Sequence, residues 1–174
     1  MLRPQRQDAP TLRRVPIRSG AGLFIAHFSD QGLAGLNFPA TSPETSGCSK
    51  VGEVSNAVKD WADLARESVI AALSGQPPRL LPPLDLRAGT EFQQQVWAAL
   101  QGIDLGQTKT YGEIAAEIGS PKATRAVGRA CGANPIPLLI PCHRVLASGG
   151  KLGGFSGGLS WKTRLLTVEG VTAG

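Results

Sequence analysis

The chain has 174 residues, of which 41% are hydrophobic and 18% charged. This is ordinary globular composition, long enough for one good core or two small ones, and it excludes a globally disordered chain. The net charge of +5 is unevenly placed: residues 1–85 hold 9 basic and 8 acidic side chains, residues 86–174 hold 9 and 5, and no acid falls between Glu117 and Glu169.

In chain order, a Pro- and Arg-rich start leads to two apolar runs, Leu23–Phe28 and Leu33–Phe38, around Asp30-Gln31-Gly32, the pattern of a β-hairpin. His27 on the first run reads as a structural residue. Residues 41–50 read as a loop, and Cys48 within it carries no pattern. From Val54, Ala57, Val58, Trp61, Leu64, Ala65 and Ala72 recur at helical spacing, with a stop near Gly75. Two Pro-Pro pairs in residues 74–89 mark a connector, so residues 1–85 form one expected unit, with its linker from about 74, and residues 86–174 another. Thr90-Glu91-Phe92-Gln93 fits a capping box, and Phe92, Val96 and Leu100 then mark one face of a helix ended by Gly102. Thr110-Tyr111-Gly112-Glu113 is a second capping box, opening a short helix through Ile118 that Gly119 can close in a left-handed conformation. Ser120-Pro121 then reads as N-cap and first helical residue of a helix to about Cys131. Two short helices joined through Gly119 make a helix-turn-helix, whose second helix carries Lys122, Arg125 and Arg129 as one basic stripe. With Arg144, Lys151, Lys162 and Arg164 they form a one-signed field that favours a polyanion, although a solvated face would read alike.

The stretch IPCHRV, Ile140 to Val145, sets a thiol beside an imidazole within apolar sequence. Leu138-Leu139-Ile140 reads as a buried strand or extended segment leading to it. A cysteine attacks only as thiolate and requires a base or positive field nearby, which His143 and Arg144 can supply. The bland alternative is a buried core cysteine. Six glycines in residues 148–158, interrupted by Leu152 and Phe155, read as a substrate-lining loop rather than a linker, before a closing helix from Ser160 to Val168. Three cysteines without C-x-x-C spacing and two histidines make neither a disulfide framework nor a zinc site, so no metal and no cofactor are expected. No apolar stretch approaches a membrane span and MLRPQRQDAPTLRR lacks a signal-peptide core, so the expected location is the cytoplasm or nucleoid.

FQQQVW (92–97), TYGEIA (110–115), NPIPLLIPCHRV (134–145) and SGGLSWK (156–162) occur in order, and with them residues 92–170 closely resemble the O6-alkylguanine-DNA alkyltransferase family. The resemblance implies an α+β fold, with a small RNase H-like-type N-terminal α/β subdomain ahead of a mostly helical, winged-helix-like one. It implies direct-reversal repair, in which Cys142 irreversibly accepts the alkyl group of O6-alkylguanine, or of O4-alkylthymine, in double-stranded DNA, in a single turnover by a monomer with no obligate protein partner. His143 would relay the thiol proton through a water and be held by Glu169. Asn134 would be a hinge, and Tyr111 would contact the flipped nucleotide and assist proton transfer. Arg125 would fill the space left in the base stack, with Lys122, Thr124, Ala126 and Arg129 as further DNA contacts. Pro137, Val145, Phe155 and Ser156 would line the base pocket. The family's helix-turn-helix is inferred to enter the minor groove. Asp104 stands where a proline is common, and the zinc-ligand cysteines of the adaptive regulators are absent. A non-catalytic module that binds alkylated DNA or regulates transcription is the competing reading, and a cysteine hydrolase a third; Cys142, His143 and Glu169 together count against the first.

Overall fold

A computed structural model describes residues 12–39 and 55–172; Cys48 and Val54 lie outside them. Three antiparallel strands, β1 (Arg13–Ser19), β2 (Gly22–Phe28) and β3 (Leu33–Asn37), form a sheet in the order β1-β2-β3. The hairpin of β2 and β3 follows the sequence pattern. β1 does not, because Pro16 and three arginines mask its alternation; it is an edge strand, where a residue without an N–H is tolerated. Its Ile17 points into the core while Arg14, Pro16 and Arg18 are exposed. Ile17, Phe24 and Phe28 are fully buried, each contributing about 1.5–3 kcal/mol of hydrophobic stabilisation.

The long helix α1 (Asn56–Leu73) buries Val58, Ala65, Val69 and Ala72 on one stripe and ends before Gly75, whose φ of +64° accommodates the reversal. The proline-rich connector is anything but loose. Leu33 N–H donates to Pro83 O at 2.7 Å and Asp85 N–H to Leu33 O at 2.8 Å, so the connector pairs with the outer edge of β3. The Asp85 carboxylate accepts from Ser29 at 2.6 Å and from Arg87 Nε at 2.8 Å, which clasps the connector to the β2–β3 turn.

Helix α2 (Glu91–Gln101) starts from the Thr90 capping box with both reciprocal bonds made. Strand β4 (Lys109–Thr110) leads into α3 (Tyr111–Glu117), which uses the second capping box, and Gly119 at φ +71° turns the chain towards α4 (Thr124–Gly132). The Ser120-Pro121 expectation is corrected. Ala123 N–H bonds to Ser120 O at 2.8 Å, so Ser-Pro opens a turn instead of the helix, and Lys122 precedes α4 rather than riding on it. Serine followed by proline starts a turn as readily as a helix. The buried strand or extended segment expected at Leu138–Ile140 is likewise a turn, with Leu138 at φ +80° and one bridge from Pro137 to Ile140. The chain closes with β5 (Val145–Leu146), parallel to β4, and α5 (Leu159–Val168). The described fold is thus a mixed one, a small antiparallel sheet with five helices around a shared core. Among the described residues, no helix is long and apolar enough to cross a membrane.

Candidate active site

Cys142 opens a single 3-10 turn, Cys142–Arg144, held from three sides. From the end of α4, Asn134 donates through Nδ2 to Ile140 O at 2.8 Å and to Cys142 Sγ at 3.1 Å, while its Oδ1 accepts from Ile136 N–H at 3.0 Å. One buried amide therefore fixes the path from Asn134 to the thiol. Leu36 N–H of β3 donates to Pro135 O at 2.8 Å, tying the sheet's outer edge to the same segment. From below, the pairing of Lys109 with Val145 and of Thr110 with Leu146 sets the start of α3, and hence Tyr111, beside the segment that follows the thiol.

His143 is 1% exposed and bonds through Nε2 to Glu169 Oε1 at 3.0 Å, while its Nδ1 has no partner among the described residues. Glu169, just beyond α5, also accepts from Arg144 Nη2 at 2.8 Å and Nε at 2.9 Å. Burial alone would raise the Glu169 carboxyl, but the hydrogen bonds from His143 and Arg144 outweigh it and hold it down at about 2. Burial pushes the His143 imidazole down despite the opposing pull of Glu169, so the ring is neutral at pH 7 and can accept a proton. Burial likewise pushes Cys142 up to about 11, against the hydrogen bond from Asn134 and the positive charge of Lys162. The resting thiol is protonated, and a base must take its proton before sulfur can attack.

Cys142 lies in the wall of a cavity of about 490 Å³. Tyr111, Gly128, Cys131 and Gly132 form its helical side, and Gly154, Phe155 and Ser156 its other side. Gly128 faces the Tyr111 ring, and a Cβ there would meet it in ordinary contact at 3.9 Å. Phe155 is anchored by an edge-on contact with Phe38, at 5.6 Å between centroids, so the N-terminal sheet supports this wall too.

The sequence-derived set is therefore brought together in part. Cys142, His143, Glu169, Asn134 and Tyr111 surround one centre, and Phe155 and Ser156 line the cavity. Pro137 and Val145 are buried behind it and are not among its lining residues. Lys122, Thr124, Arg125 and Arg129 are exposed on or just before α4, with Ala126 half-buried. Two cations depart from expectation, and Cys131, to which the sequence assigned no role, joins the site. Cys131 lines the cavity, its thiol pushed up to about 12 by burial and then by Cys142. Arg144 and Lys162, counted in the field facing a polyanion, instead turn inward: Arg144 serves Glu169, and Lys162 is fully buried. Their spacing carried no signal of this; an acid-free interval only hid where each cation points.

Residues 91–171 match the family model described as 6-O-methylguanine DNA methyltransferase, DNA binding domain. The chain is 51% identical over 105 residues to the methylated-DNA--protein-cysteine methyltransferase of Mycolicibacterium paratuberculosis. That stretch covers 60% of this chain and spans 63% of the relative's length. Among solved structures, OGT of Mycobacterium tuberculosis in complex with DNA superposes with a TM-score of 0.68 at 37% identity, covering 88% of this chain and 90% of that one. The O6-methylguanine-DNA methyltransferase of Pyrococcus kodakaraensis superposes with a TM-score of 0.62 at 26% identity, covering 92% and 100%.

Proposed function

Because the chain belongs to the O6-methylguanine DNA methyltransferase family, we propose that it repairs alkylated DNA by direct reversal, acting as a methylated-DNA-protein-cysteine S-methyltransferase. The alkyl group of O6-alkylguanine, or of O4-alkylthymine, passes to Cys142 once per molecule. The observation that carries the reading is the Cys142 thiol in a cavity wall, hydrogen-bonded by Asn134 and next in sequence to a buried His143–Glu169 pair.

The chemistry follows from that arrangement. An alkylated guanine stacked in duplex DNA hides its O6 substituent, so the base is extruded into the cavity. His143 accepts the thiol proton at Nδ1, the ring nitrogen left without a partner among the described residues, through a bridging water, and Glu169 stabilises the imidazolium through Nε2. The sulfur then attacks the alkyl carbon: a C–S bond forms, the C–O6 bond breaks, and guanine leaves with the electron pair. Tyr111, at the cavity wall, delivers the proton that neutralises the departing base. The product is a thioether, which offers water no carbonyl to attack, so Cys142 is not regenerated and one molecule repairs one lesion.

The outer side of α4 delivers the substrate in this reading. Arg129 on α4, and Lys122 and Thr124 before and at its start, are exposed and face DNA phosphates, with Ala126 against the groove wall. Arg125 occupies the gap left in the base stack. Residues 1–85 act as an RNase H-like-type supporting unit, and residues 86–174, winged-helix-like, bind DNA and accept the alkyl group. The protein works as a monomer in the cytoplasm or nucleoid. Intact-protein mass spectrometry after mixing with duplex containing O6-methylguanine tests the reading. The expected result is one methyl group per protein, on Cys142, with no added cofactor. Repeated turnover, no mass gain, or methylation at Cys131 or Cys48 overturns it, and no gain with retained binding favours a non-catalytic DNA-binding module.

A further inference from the structure

The end of β3 reaches both walls of the cavity. Leu36 N–H donates to Pro135 O at 2.8 Å, just beyond Cys131 and Gly132 of the helical wall. Past the strand, the half-buried Phe38 meets the opposite wall. Its ring stands edge-on to that of Phe155, with 5.6 Å between centroids, and lies 4.8 Å from that of Trp161 on α5. Behind it Phe24 of β2, with no exposed surface, lies 5.5 Å from Phe38 and 5.7 Å from Trp161. Phe38 is thus held from the sheet on one side and from the closing helix on the other.

What Phe38 presses on is informative. A Cβ on Gly157 would stand 2.8 Å from the Phe38 ring and 2.9 Å from that of Phe155, so the two rings close on the loop backbone directly after Ser156. Phe155 and Ser156 line the cavity, and Phe38 stands behind them rather than in the lining. A ring buttressed edge-on by a second ring keeps one orientation, whereas removal of the second leaves a void into which the first can turn. A flat base slotted between Tyr111 and Phe155 needs the spacing of the walls fixed before it arrives. A wall that must be ordered on binding takes its cost out of affinity.

We propose that Phe38, outside the cavity, is a positioning residue for the alkylated base: acting through Phe155, it fixes the spacing of the two walls and so sets the affinity for the base. The transfer step itself stays with Cys142, His143 and Glu169. The inference deepens the alkyl-transfer reading and rests on it for the substrate. It gives the N-terminal sheet a share in substrate affinity, delivered by one side chain, in addition to its share in the common core.

The test follows the single-turnover reaction with free O6-benzylguanine, which needs no extrusion from a duplex, against its concentration in the parent, Phe38→Ala, Phe155→Ala and the double variant. In Phe38→Ala the half-saturating concentration is expected to rise about tenfold, the order of one lost aromatic pair. The limiting rate is expected to stay within about twofold of the parent, the mark of lost binding rather than lost chemistry. In the Phe155→Ala background the same change is expected to cost less than about twofold, because the ring through which Phe38 acts is gone. A tenfold effect in both backgrounds would make Phe38 a general packing residue and overturns the proposal, as does an effect confined to the limiting rate. Should Phe38→Ala not fold, Cys142→Ser labelled with 4-fluorophenylalanine decides: the fluorine resonance of Phe38 is expected to shift on addition of O6-benzylguanine, although the ring stands behind the lining. A resonance indifferent to the base overturns the proposal. A parent that reacts with neither the free base nor alkylated duplex would count against the function proposed above, whereas a reacting parent with an unchanged Phe38→Ala counts against this inference alone.

Discussion

Two groups of cations come from the same acid-free interval and part company in space. Lys122, Arg125 and Arg129 stand on the outer side of the helix-turn-helix, exposed. Arg144 and Lys162 lie inside, one serving the buried carboxylate of Glu169 and the other three carbonyls. The difference teaches that charge works in two ways here. Outside, each cation interacts with mobile counterions and with whatever polyanion displaces them, so its effect is screened by salt. Inside, the cations are fixed and screened little, one bonded to the Glu169 carboxylate and the other to carbonyls of the segments around one thiol. The outer group should govern where the protein sits on DNA, and the inner group how fast the thiol reacts.

Removing the thiol is the largest perturbation of the inner group. Cys142→Ser is expected to abolish methyl transfer while leaving affinity for alkylated duplex intact, because a serine hydroxyl is a far weaker nucleophile at neutral pH. Measuring both in one preparation checks the separation; lost DNA binding in a folded variant would break it. Next in size, Glu169→Gln is expected to slow transfer about 10²-fold, since the His143 imidazolium loses its counter-charge. The same carboxylate links stability to pH. Its folded value, about 2, lies below the ordinary 4.5, so its contribution is complete above pH 4.5 and is lost as pH falls towards 2. Acid unfolding of the parent and of Glu169→Gln should therefore converge at low pH. Curves separated equally at every pH would contradict the assignment.

Salt comes third and addresses the outer group. Two phosphate contacts, from Lys122 and Arg129, correspond to a slope of log affinity on log salt of about −1.8, or about a twelvefold loss for a fourfold rise in salt. A flat line would remove the outer group from DNA binding, whereas the rate with free O6-benzylguanine should barely respond. Smallest is Arg125→Ala, expected to slow repair in duplex about tenfold, because a side chain filling the vacated stack recovers part of the unstacking cost. Free O6-benzylguanine, which needs no extrusion, should react with the variant as with the parent. Equal weakening on alkylated and undamaged duplex would make Arg125 a phosphate contact, and an equal fall on the free base would place it with the inner group.

By itself the sequence determined what depends on near neighbours along the chain. Both capping boxes, at Thr90 and Thr110, form as read, because the two partners of each lie three residues apart and need only one helical turn to meet. The β2–β3 hairpin, the left-handed Gly119 and the closing helix are local in the same sense. Cys142 and His143 were legible as a reactive pair from their adjacency, and the remaining site residues from family motifs rather than from spacing. Where one local signal serves two structures, the reading went astray: Ser120-Pro121 opened a turn, and β1 hid its strand behind Pro16 and its arginines. Only the tertiary structure decided what depends on contacts across long separations. It put His143 against Glu169, 26 residues on, and the edge of β3 against Pro135, and it set Cys131 in the cavity wall. It also turned Lys162 inward onto Val145, 17 residues back. A lysine reads the same in sequence whether water or carbonyls surround it, and its surroundings exist only once α5 has docked beside the thiol-bearing turn.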